Sequence, residues 1–327
     1  MKVFITREIP RAGIELLKKY PSLDIDMRKG APLTEEEIID GVKDADALIT
    51  VIPDKITSKI IQAGKYLKII AAYSVGYDHI DLKTATEQNV YVSNTPGDLT
   101  ESVAEHALAL MISVARNIVP ADRFTREGHY KFWDPMIFLG PVFQGKTLGI
   151  VGLGRIGQHL AKIAKNGFNM RVFYSDIQRN ERGEIETGAV YVPIEELLEN
   201  SDFVSLHVPL LPSTRHLINE KTLRLMKPNA YLINTSRGPV VDEGALSIAL
   251  KEGIIAGAGI DVFEEEPSIH SGLKELDNVI LTPHIGSATR EARIEMARMA
   301  ALNVLDVLVE GKTPTNLVNK DIGSRYN

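Results

Sequence analysis

The feature that most constrains the fold of this chain is the segment KTLGIVGLGRIGQHLAKIAKNGFNMRVFYSD at residues 146–176. It places Gly152, Gly154 and Gly157 at the spacing GxGxxG, directly after the strand-like run TLGIV. Apolar residues at helical spacing follow the glycines, and a second strand-like run ends in Asp176. Glycines alone mark any tight turn, but this complete order of elements is typical of a dinucleotide-binding βαβ unit.

In such a unit the glycines and the acid have separate tasks. Gly152 permits the tight turn, Gly154 lets the backbone approach a pyrophosphate, and Gly157 allows the helix to pack closely on the strand. Free N–H groups at the helix amino terminus would bind the phosphates. Asp176 would accept hydrogen bonds from the ribose hydroxyls and repel a 2′-phosphate, which favours NAD over NADP. Arg179 lies three residues further on and could instead meet a phosphate.

Short strand-like runs alternate with helical patterns along the rest of the chain, as expected for parallel βαβ units. The first series of strand-like runs lies at 2–6, 23–27, 46–51, 67–72 and 90–94, with amphipathic segments near 10–20, 34–43, 56–64 and 80–88. The second series lies at 146–152, 170–176, 189–193, 202–208, 230–235, 256–262 and 278–284. The sequence therefore predicts an α/β protein with two parallel sheets.

Two longer helical patterns interrupt this alternation. Residues 101–117 place apolar side chains at helical spacing, and Thr100 and Glu101 suit an N-cap and an acidic first turn. The aromatic, proline-bearing stretch 130–145 has no clear periodicity and is interpreted as a crossing between domains. Residues 289–311 predict one long helix with its apolar positions on one face.

Composition excludes several classes of protein. A chain of 327 residues suggests two domains, and 44% hydrophobic with 24% charged residues excludes a disordered or fibrous chain. The net charge is −6 and no long cluster of Lys and Arg occurs, so a nucleic-acid partner is not expected. The chain has no cysteine, which excludes disulfides, thiolate metal sites and a cysteine nucleophile.

The sequence also predicts a cytoplasmic protein without a membrane partner. Only four residues separate Lys2 from Arg7, far fewer than the apolar region of a signal peptide. No stretch reaches the roughly 18 uninterrupted apolar residues that a membrane span needs.

Polar residues follow three of the later strand-like runs, where open parallel sheets bind their ligands. Arg237 follows the run at 230–235, three glutamates before Pro267 follow the run at 256–262, and His284 ends the run at 278–284. A solvated loop arginine and a solvated acidic turn are the simpler interpretations. However, a 2-oxo or 2-hydroxy acid needs a fixed cation, and arginine binds a carboxylate through two parallel hydrogen bonds.

The same three residue types would suit hydride transfer. A hydride that reaches a carbonyl carbon leaves an alkoxide, and histidine is the usual proton donor near neutral pH. A carboxylate beside the histidine would stabilise the imidazolium and fix its orientation. Arg, Glu and His beside a nicotinamide therefore suffice for reversible oxidation of a 2-hydroxy acid.

Long motifs then identify a family. VGLGRIG, NTSRGPVVDEGAL, GAGIDVFEEEP and TPHIGSAT occur in order, after SVGYDHID and NTPGDLTESVAEHALAL. Over nearly its whole length the sequence resembles the D-isomer-specific 2-hydroxyacid dehydrogenases, and within them it is similar to the glyoxylate/hydroxypyruvate reductase branch. The resemblance implies two Rossmann-like, doubly wound domains. A discontinuous, flavodoxin-like substrate domain is expected at 1–99 and 288–327, an NAD-binding domain at 100–287, and a cleft that closes over the ligands.

The resemblance also implies the site residues. The catalytic residues are expected to be Arg237, Glu266 and His284, which leaves Glu264 and Glu265 as surface charge. No metal ligand is expected. Cofactor contacts are expected at Gly152, Gly154, Arg155, Ile156, Gly157, Asp176, Val208, Pro209, Thr214, Thr235, Ser236, Asp261 and Gly286.

The substrate carboxylate is expected to meet Arg237 and the backbone N–H groups of Val75 and Gly76. Family members are usually homodimers, so a homodimer with the helix near 101–117 at its interface is implied. The stretch 129–143 varies within the family and gives no guide to the substrate.

Other histidines have simpler interpretations. His79, between Asp78 and Asp81, resembles a metal cluster by composition but lies in the substrate-loop motif, so metal binding is not expected. His106 and His207 are expected to be packed or at an interface.

The leading prediction is an NAD(H)-dependent reductase of a small 2-oxo acid, with glyoxylate or hydroxypyruvate favoured. D-Lactate or D-3-phosphoglycerate dehydrogenase would use the same chemistry with a different pocket. The phosphoglycerate enzymes often carry a regulatory domain, which is not expected in a chain that ends at Asn327. A different class is a nucleotide-sensing binding protein like the carboxy-terminal binding protein corepressors, which tend to carry flanking extensions that are not expected here.

Overall fold

The computed structural model describes residues 1–97 and 100–322. The chain divides into two compact units, a first unit of Met1–Leu99 with Ala288–Asn327 and a second unit of Thr100–Ser287. Each unit is built around its own parallel sheet.

In the described part of the first unit, five parallel strands have the order β2-β1-β3-β4-β5, which is the flavodoxin-like order. Strands β3 and β4 are buried throughout and, apart from Thr50, apolar, because helices cover both faces of a doubly wound sheet. The strands are β1 (Lys2–Ile5), β2 (Asp24–Met27), β3 (Ala47–Thr50), β4 (Ile69–Ala72) and β5 (Tyr91–Ser93). The helices are α1 (Arg11–Lys18), α2 (Glu35–Val42), α3 (Ser58–Ala63), α4 (Leu82–Glu87) and the last helix of the chain, α13 (Arg290–Leu308).

In the second unit, whose residues from 100 onward are all described, seven parallel strands have the order β12-β11-β10-β9-β6-β7-β8. Strand order reverses between β6 and β9, which is the switch point at which Rossmann folds bind dinucleotides. The strands are β6 (Thr147–Val151), β7 (Arg171–Ser175), β8 (Val190–Tyr191), β9 (Phe203–Leu206), β10 (Tyr231–Asn234), β11 (Gly257–Ile260) and β12 (Val279–Leu281). The helices are α5 (Thr100–Ala115), α6 (Ile118–Arg126), α7 (Arg155–Phe168), α8 (Glu181–Thr187), α9 (Ile194–Asn200), α10 (Glu220–Leu223), α11 (Glu243–Lys251) and α12 (Ser271–Lys274).

Helix α5 is the central helix of the second unit and packs on β10, β11 and α7. Its small residues allow this close packing, since Ala104 and Ala107 are buried together with Leu110 and Met111. Among residues 1–97 and 100–322, no single helix is long and apolar enough to cross a membrane. Taken together, α5 and α6 are long and apolar enough, but a bend of 61° separates them.

The structure confirms the predicted fold class and every predicted strand-like run. The strands lie within the predicted runs and are up to three residues shorter at either end, and β8 keeps only Val190–Tyr191. The stretch 130–145 contains no helix or strand. Its interpretation as a crossing between domains is wrong, because it lies inside the second unit.

The expectation of a one-sided apolar pattern for the last helix is wrong. At its carboxyl end α13 is buried on every side, polar Asn303 and Asp306 included. The reason lies in the chain that follows the helix. Asp306 accepts hydrogen bonds from the N–H and hydroxyl of Thr315 at 2.9 and 2.8 Å, and Asn303 accepts from the N–H of Asn316 at 3.1 Å. These bonds hold the following segment over the helix.

We predict opposite effects for two glycine substitutions in helices. A Cβ at Gly13 of α1 would lie 2.4 Å from the carbonyl oxygen of Ala297 in α13, so Gly13→Val should lower the free energy of unfolding by about 1–3 kcal/mol. A Cβ at Gly167 of α7 would meet nothing within 4 Å, so Gly167→Ala should raise it by up to about 1 kcal/mol. Urea unfolding followed by circular dichroism measures both, and a Gly13→Val protein as stable as wild type would contradict the packing.

Candidate active site

The glycine turn after β6 is shaped by close backbone packing. Gly152 has a φ of +96°, and a Cβ there would lie 2.8 Å from the carbonyl oxygen of His207. A Cβ at Gly157 would lie 2.3 Å from the carbonyl oxygen of Gly152. Gly154 differs, because a Cβ there would meet no protein atom within 4 Å. The turn is therefore closely packed at Gly152 and Gly157. It is open at Gly154, where we expect a ligand to approach the backbone.

Helix α7 begins at this turn with an uncapped amino terminus. Gly154 is its N-cap and has no side chain to accept from the first N–H groups, and the first turn contains no acidic residue. Arg155 is exposed and Ile156 is half-buried at the first two helical positions. Unsatisfied N–H groups and a positive helix dipole favour an anion such as a pyrophosphate.

Asp176, just past the end of β7, both supports the turn and offers acceptors. Its Oδ2 accepts from the N–H of Leu153 at 2.9 Å, and its Oδ1 accepts from the N–H of Ile177 at 2.8 Å. A carboxylate has about four acceptor positions, so about two remain. Asp176 can therefore hold the glycine turn and still bind the hydroxyls of a ribose.

The loop after β9 carries three of the expected cofactor contacts. Val208 is half-buried and Pro209 is exposed at the edge of the sheet. Thr214 is buried, and its hydroxyl donates to the carbonyl of Pro209 at 2.7 Å and accepts from the N–H of Leu211 at 2.8 Å. The hydroxyl of Thr214 thus shapes the loop.

The loop after β10 fixes Arg237. Oδ1 of Asn234 accepts from the N–H and the hydroxyl of Ser236, and its amide donates to the carbonyl of Arg237 at 3.0 Å. The guanidinium of Arg237 donates to the carbonyl of Ser236 at 2.8 Å. By contrast, the hydroxyl oxygen of Thr235 is buried and has no hydrogen-bond partner among the described residues. A buried polar atom of this kind is expected to meet a ligand or water.

Glu266 and His284 form a hydrogen-bonded pair at the ends of neighbouring strands. Nδ1 of His284 lies 2.8 Å from Oε2 and 3.1 Å from Oε1 of Glu266, and the N–H of Phe263 donates to Oε1 at 3.1 Å. An ionised carboxylate only accepts, so Nδ1 carries the proton that it shares with Glu266. Nε2 is then the ring atom that can exchange a proton with a substrate.

Asp261 positions the backbone on which His284 lies. His284 has a φ of +54°, which residues with a side chain rarely adopt. Oδ1 of Asp261 accepts from the N–H of Ile285 at 2.8 Å, and Oδ2 accepts from the N–H of Gly286 at 2.7 Å. Burial would raise the pKa of Asp261, but hydrogen bonds, foremost from His106 and Thr282, outweigh it and lower that pKa. The buried charge therefore stabilises an unfavourable backbone conformation.

Helix α5 supplies side chains behind this loop that the sequence did not assign to the site. Nε2 of His106 lies 3.2 Å from the hydroxyl of Thr282 and 3.3 Å from Oδ1 of Asp261. One turn earlier, the hydroxyl of Ser102 donates to the carbonyl of Gly286 at 2.9 Å. Their i, i+4 spacing places Ser102 and His106 on one helix face, but nothing in the sequence shows what that face contacts.

The interpretation of Glu264 as surface charge is wrong. Its carboxylate pairs with the ring of His216 and accepts from the N–H of Glu243 at 3.1 Å. Glu243 is buried and accepts in return from the N–H of Glu264 at 2.8 Å and from that of His270 at 3.2 Å. Burial raises the pKa of Glu243, although these N–H groups oppose the shift. The reciprocal pair anchors the loop that carries Glu266, whereas Glu265 is exposed as expected.

The remaining histidines have other roles. Burial lowers the pKa of His207 to about 4, so its ring is neutral near pH 7. Nε2 of this ring lies within hydrogen-bond distance, 2.9 Å, of the hydroxyl of Ser205.

In the first unit, Asp81 caps α4 by accepting from the N–H of Thr84 at 2.9 Å. Within residues 1–97 and 100–322, no group of three or more His, Asp and Glu side chains could hold a metal ion.

The loop after β4 in the first unit carries Val75 and Gly76. Val75 is 41% exposed, and its carbonyl accepts from the amide of Asn94 at 2.8 Å. The carbonyl of Gly76 accepts from the hydroxyl of Ser74 at 2.6 Å. Both carbonyls are thus held by side chains of the same unit, which fixes the peptide groups of the loop.

The residues of the second unit fit a bound dinucleotide. The open space at Gly154 and the uncapped amino terminus of α7 follow β6 at the switch point. The remaining acceptors of Asp176 follow β7, the next strand on one side, and the buried hydroxyl of Thr235 follows β10, two strands away on the other. The Glu266 and His284 pair follows β11 and β12 of the same sheet.

Comparison with known proteins agrees with this geometry. The family model described as D-isomer specific 2-hydroxyacid dehydrogenase, NAD binding domain, matches residues 108–286. A glyoxylate reductase of Thermococcus litoralis is 53% identical over 98% of this chain and 97% of its own length. A glyoxylate reductase of Korarchaeum cryptofilum is 51% identical over 98% of this chain and 96% of its own.

Solved structures give the same result. The TT0316 protein of Thermus thermophilus matches with a TM-score of 0.91 and 42% identity over 97% of this chain and all of its own. An NADPH-dependent glyoxylate/hydroxypyruvate reductase of Sinorhizobium meliloti matches with a TM-score of 0.85 and 29% identity over 100% of this chain and 99% of its own. The chain therefore belongs to the family of D-isomer-specific 2-hydroxyacid dehydrogenases.

Proposed function

We propose that this protein is an NAD(H)-dependent reductase of small 2-oxo acids, with glyoxylate as the preferred substrate and hydroxypyruvate as the next. The observation that carries the proposal is the His284–Glu266 pair on the same sheet as a dinucleotide turn, in a chain about half identical to glyoxylate reductases along almost its full length. Enzymes of this family are oxidoreductases that act on the CH–OH group of 2-hydroxy acids.

The residues of the second unit divide the chemistry among them. When bound, the nicotinamide supplies the hydride for the carbonyl carbon. Arg237 binds the substrate carboxylate through its guanidinium. Nε2 of His284 donates a proton to the carbonyl oxygen as negative charge develops there, and Glu266 stabilises the ring through Nδ1. In the oxidative direction, His284 takes the proton back.

Some contacts are proposed on the resemblance alone. They are the binding of the carboxylate by the N–H groups of Val75 and Gly76, and the cofactor contacts of Val208, Pro209, Ser236 and Gly286. A cytoplasmic location without a membrane or nucleic-acid partner is likewise proposed from the sequence.

NAD is proposed as the cofactor in preference to NADP. The support is the carboxylate of Asp176 at the end of β7, because a 2′-phosphate would meet its negative charge. The NADPH dependence of the Sinorhizobium meliloti relative shows that the fold also accommodates the phosphorylated cofactor. The choice therefore depends on side chains at this strand end.

A homodimer is proposed from the exposed apolar side chains that follow α6. Phe132, Trp133 and Met136 are 72%, 76% and 71% exposed, a concentration that marks an interaction surface. The resemblance implies a second copy of this chain as the partner. The stretch 130–144 is thus assigned to the interface together with the exposed side of α5.

The activity is tested by mixing the purified protein with NADH and glyoxylate, hydroxypyruvate, pyruvate or phenylpyruvate, and following nicotinamide absorbance. We expect the highest kcat/KM with glyoxylate. Preference for pyruvate would favour a D-lactate dehydrogenase. NADH binding without turnover of any acid would contradict the proposal and favour a nucleotide-sensing protein.

The proton donor is tested by His284→Ala, which should lower kcat by about 10²–10⁴-fold with NADH binding retained, because a general acid contributes that much. Glu266→Gln should lower kcat less, since the amide can still accept from Nδ1 without stabilising its charge. His129→Ala is the control, because that ring is exposed on the surface. Unchanged turnover in His284→Ala would remove His284 from the mechanism.

The dimer is tested by sedimentation of the double variant Trp133→Ser, Met136→Ser. We expect a homodimer for the wild type and a shift toward monomer for the variant, because the apolar area of the interface is reduced. Ile185→Ser is the control, as Ile185 is 86% exposed on a different element, helix α8. A wild-type monomer, or a variant dimer as tight as wild type, would refute this interface.

A further inference from the structure

Arg179, the cation that could meet a 2′-phosphate, is bound to a carboxylate of its own unit. Nε and Nη2 of Arg179 donate to Oε1 and Oε2 of Glu184, both at 2.8 Å. This two-pronged arrangement occupies the face of the guanidinium that would bind a phosphate in the same way. The arginine therefore has to leave Glu184 before it can bind a cofactor phosphate through that face.

Glu184 is itself held in place from the interior. Its side chain is only 17% exposed, and Oε1 accepts from the hydroxyl of Tyr174 at 2.6 Å. Tyr174 is fully buried, and its hydroxyl accepts from the N–H of Asn180 at 2.9 Å. Arg179 and then Tyr174 lower the pKa of Glu184 to about 2, so the carboxylate is ionised at any working pH. Glu184 thus cannot follow the arginine toward solvent.

These four residues, Tyr174, Arg179, Asn180 and Glu184, form a cluster that we call the Glu184 clamp. The clamp is joined to the glycine turn, because the side-chain amide of Asn180 donates to the carbonyl of Leu153 at 2.9 Å. The N–H of the same Leu153 donates to Asp176. Arg179 is therefore held at the strand end where Asp176 is proposed to bind the ribose.

We propose that Glu184 is a specificity-determining residue, which excludes NADP by keeping Arg179 paired. The inference rests on the proposed function, since it concerns the same cofactor site. NAD binds without disturbing the clamp. If NADP bound with the clamp intact, its 2′-phosphate would lie near the carboxylates of Asp176 and Glu184. If the phosphate drew Arg179 away instead, the mostly buried carboxylate of Glu184 would lose its counter-charge.

The direct test is the affinity of Glu184→Gln for NADP⁺ and NAD⁺, measured by titration calorimetry without substrate. The amide oxygen can still accept from Tyr174, but the ion pair with Arg179 is lost. We expect the Kd for NADP⁺ to fall by about 10-fold, which is typical of one charge-assisted hydrogen bond gained, and the Kd for NAD⁺ to change little. The ratio of kcat/KM with NADPH to that with NADH should rise in parallel.

A double-mutant cycle separates release of the arginine from simple loss of negative charge. Arg179→Ala alone should leave both Kd values nearly unchanged, because the wild-type arginine is paired. In the Glu184→Gln background the same change should abolish the gain in NADP⁺ affinity. Glu186→Gln is the matched control, since Glu186 lies on the same helix and pairs with Lys162 and Arg182 instead.

Glu184→Asp provides a second variant that keeps the negative charge. Its shorter side chain cannot reach the two nitrogens of Arg179 and the hydroxyl of Tyr174 together, so a smaller gain of the same sign is expected. The inference is overturned if NADP⁺ affinity is unchanged in both Glu184 variants, or if the gain persists without Arg179. A wild-type protein that binds neither cofactor would instead refute the proposed function.

Discussion

The hydrogen bonds of the buried Asp261 carboxylate support the sheet edge that carries His284, the proposed proton donor. Asp261 binds the N–H groups of Ile285 and Gly286, while its own carbonyl accepts from the N–H of His284 at 2.9 Å. His284 has a left-handed backbone conformation that costs free energy for any residue with a side chain. Hydrogen bonds to an ionised acceptor are about twice as strong as neutral ones, so they can offset that cost. One buried charge thus stabilises the backbone conformation at His284 and so sets the direction of its side chain.

Carboxylates that accept hydrogen bonds from backbone N–H groups also support Glu266, the partner of His284. Glu243 accepts from two N–H groups of the segment 264–270, and Glu264 accepts from the first turn of α11 in return. Glu266 lies between those anchored positions and is oriented by the N–H of Phe263. The loops that carry His284 and Glu266 are therefore each held by a buried carboxylate, Asp261 and Glu243 respectively. Such support matters because catalytic hydrogen bonds tolerate displacements of only a fraction of an ångström.

The sequence predicts the strands, the helices of the first unit with α5 and α7, and the Glu266–His284 pair, because periodicity, strand ends and long motifs are all properties of the linear chain. It failed where a contact depends on the direction of a side chain. Three successive glutamates give no indication of which one faces inward, so the sequence does not show that Glu264 binds His216. The sequence also does not show the contacts of His106 behind the His284 loop, since its partners Asp261 and Thr282 lie more than 150 positions away. Likewise, only the fold shows that Glu184 reaches back to Arg179.

Carboxylates at one sheet edge also limit what the edge can bind. Asp176 follows β7, Glu184 of α8 pairs with Arg179 just beyond the same strand, and Glu266 follows β11, and all three side chains are partly accessible. An anionic ligand can bind at this edge only if each of its negative charges lies near a helix amino terminus or a cationic side chain. In the proposed function, the uncapped amino terminus of α7 would compensate a pyrophosphate, and Arg237 would compensate one small carboxylate. While Arg179 is paired with Glu184, its guanidinium would not compensate a third anionic group, such as a phosphate on the ribose. The proposed chemistry at His284 and the proposed choice of cofactor thus depend on one distribution of charge, in which arginines and helix termini offset carboxylates that the fold needs for its own loops.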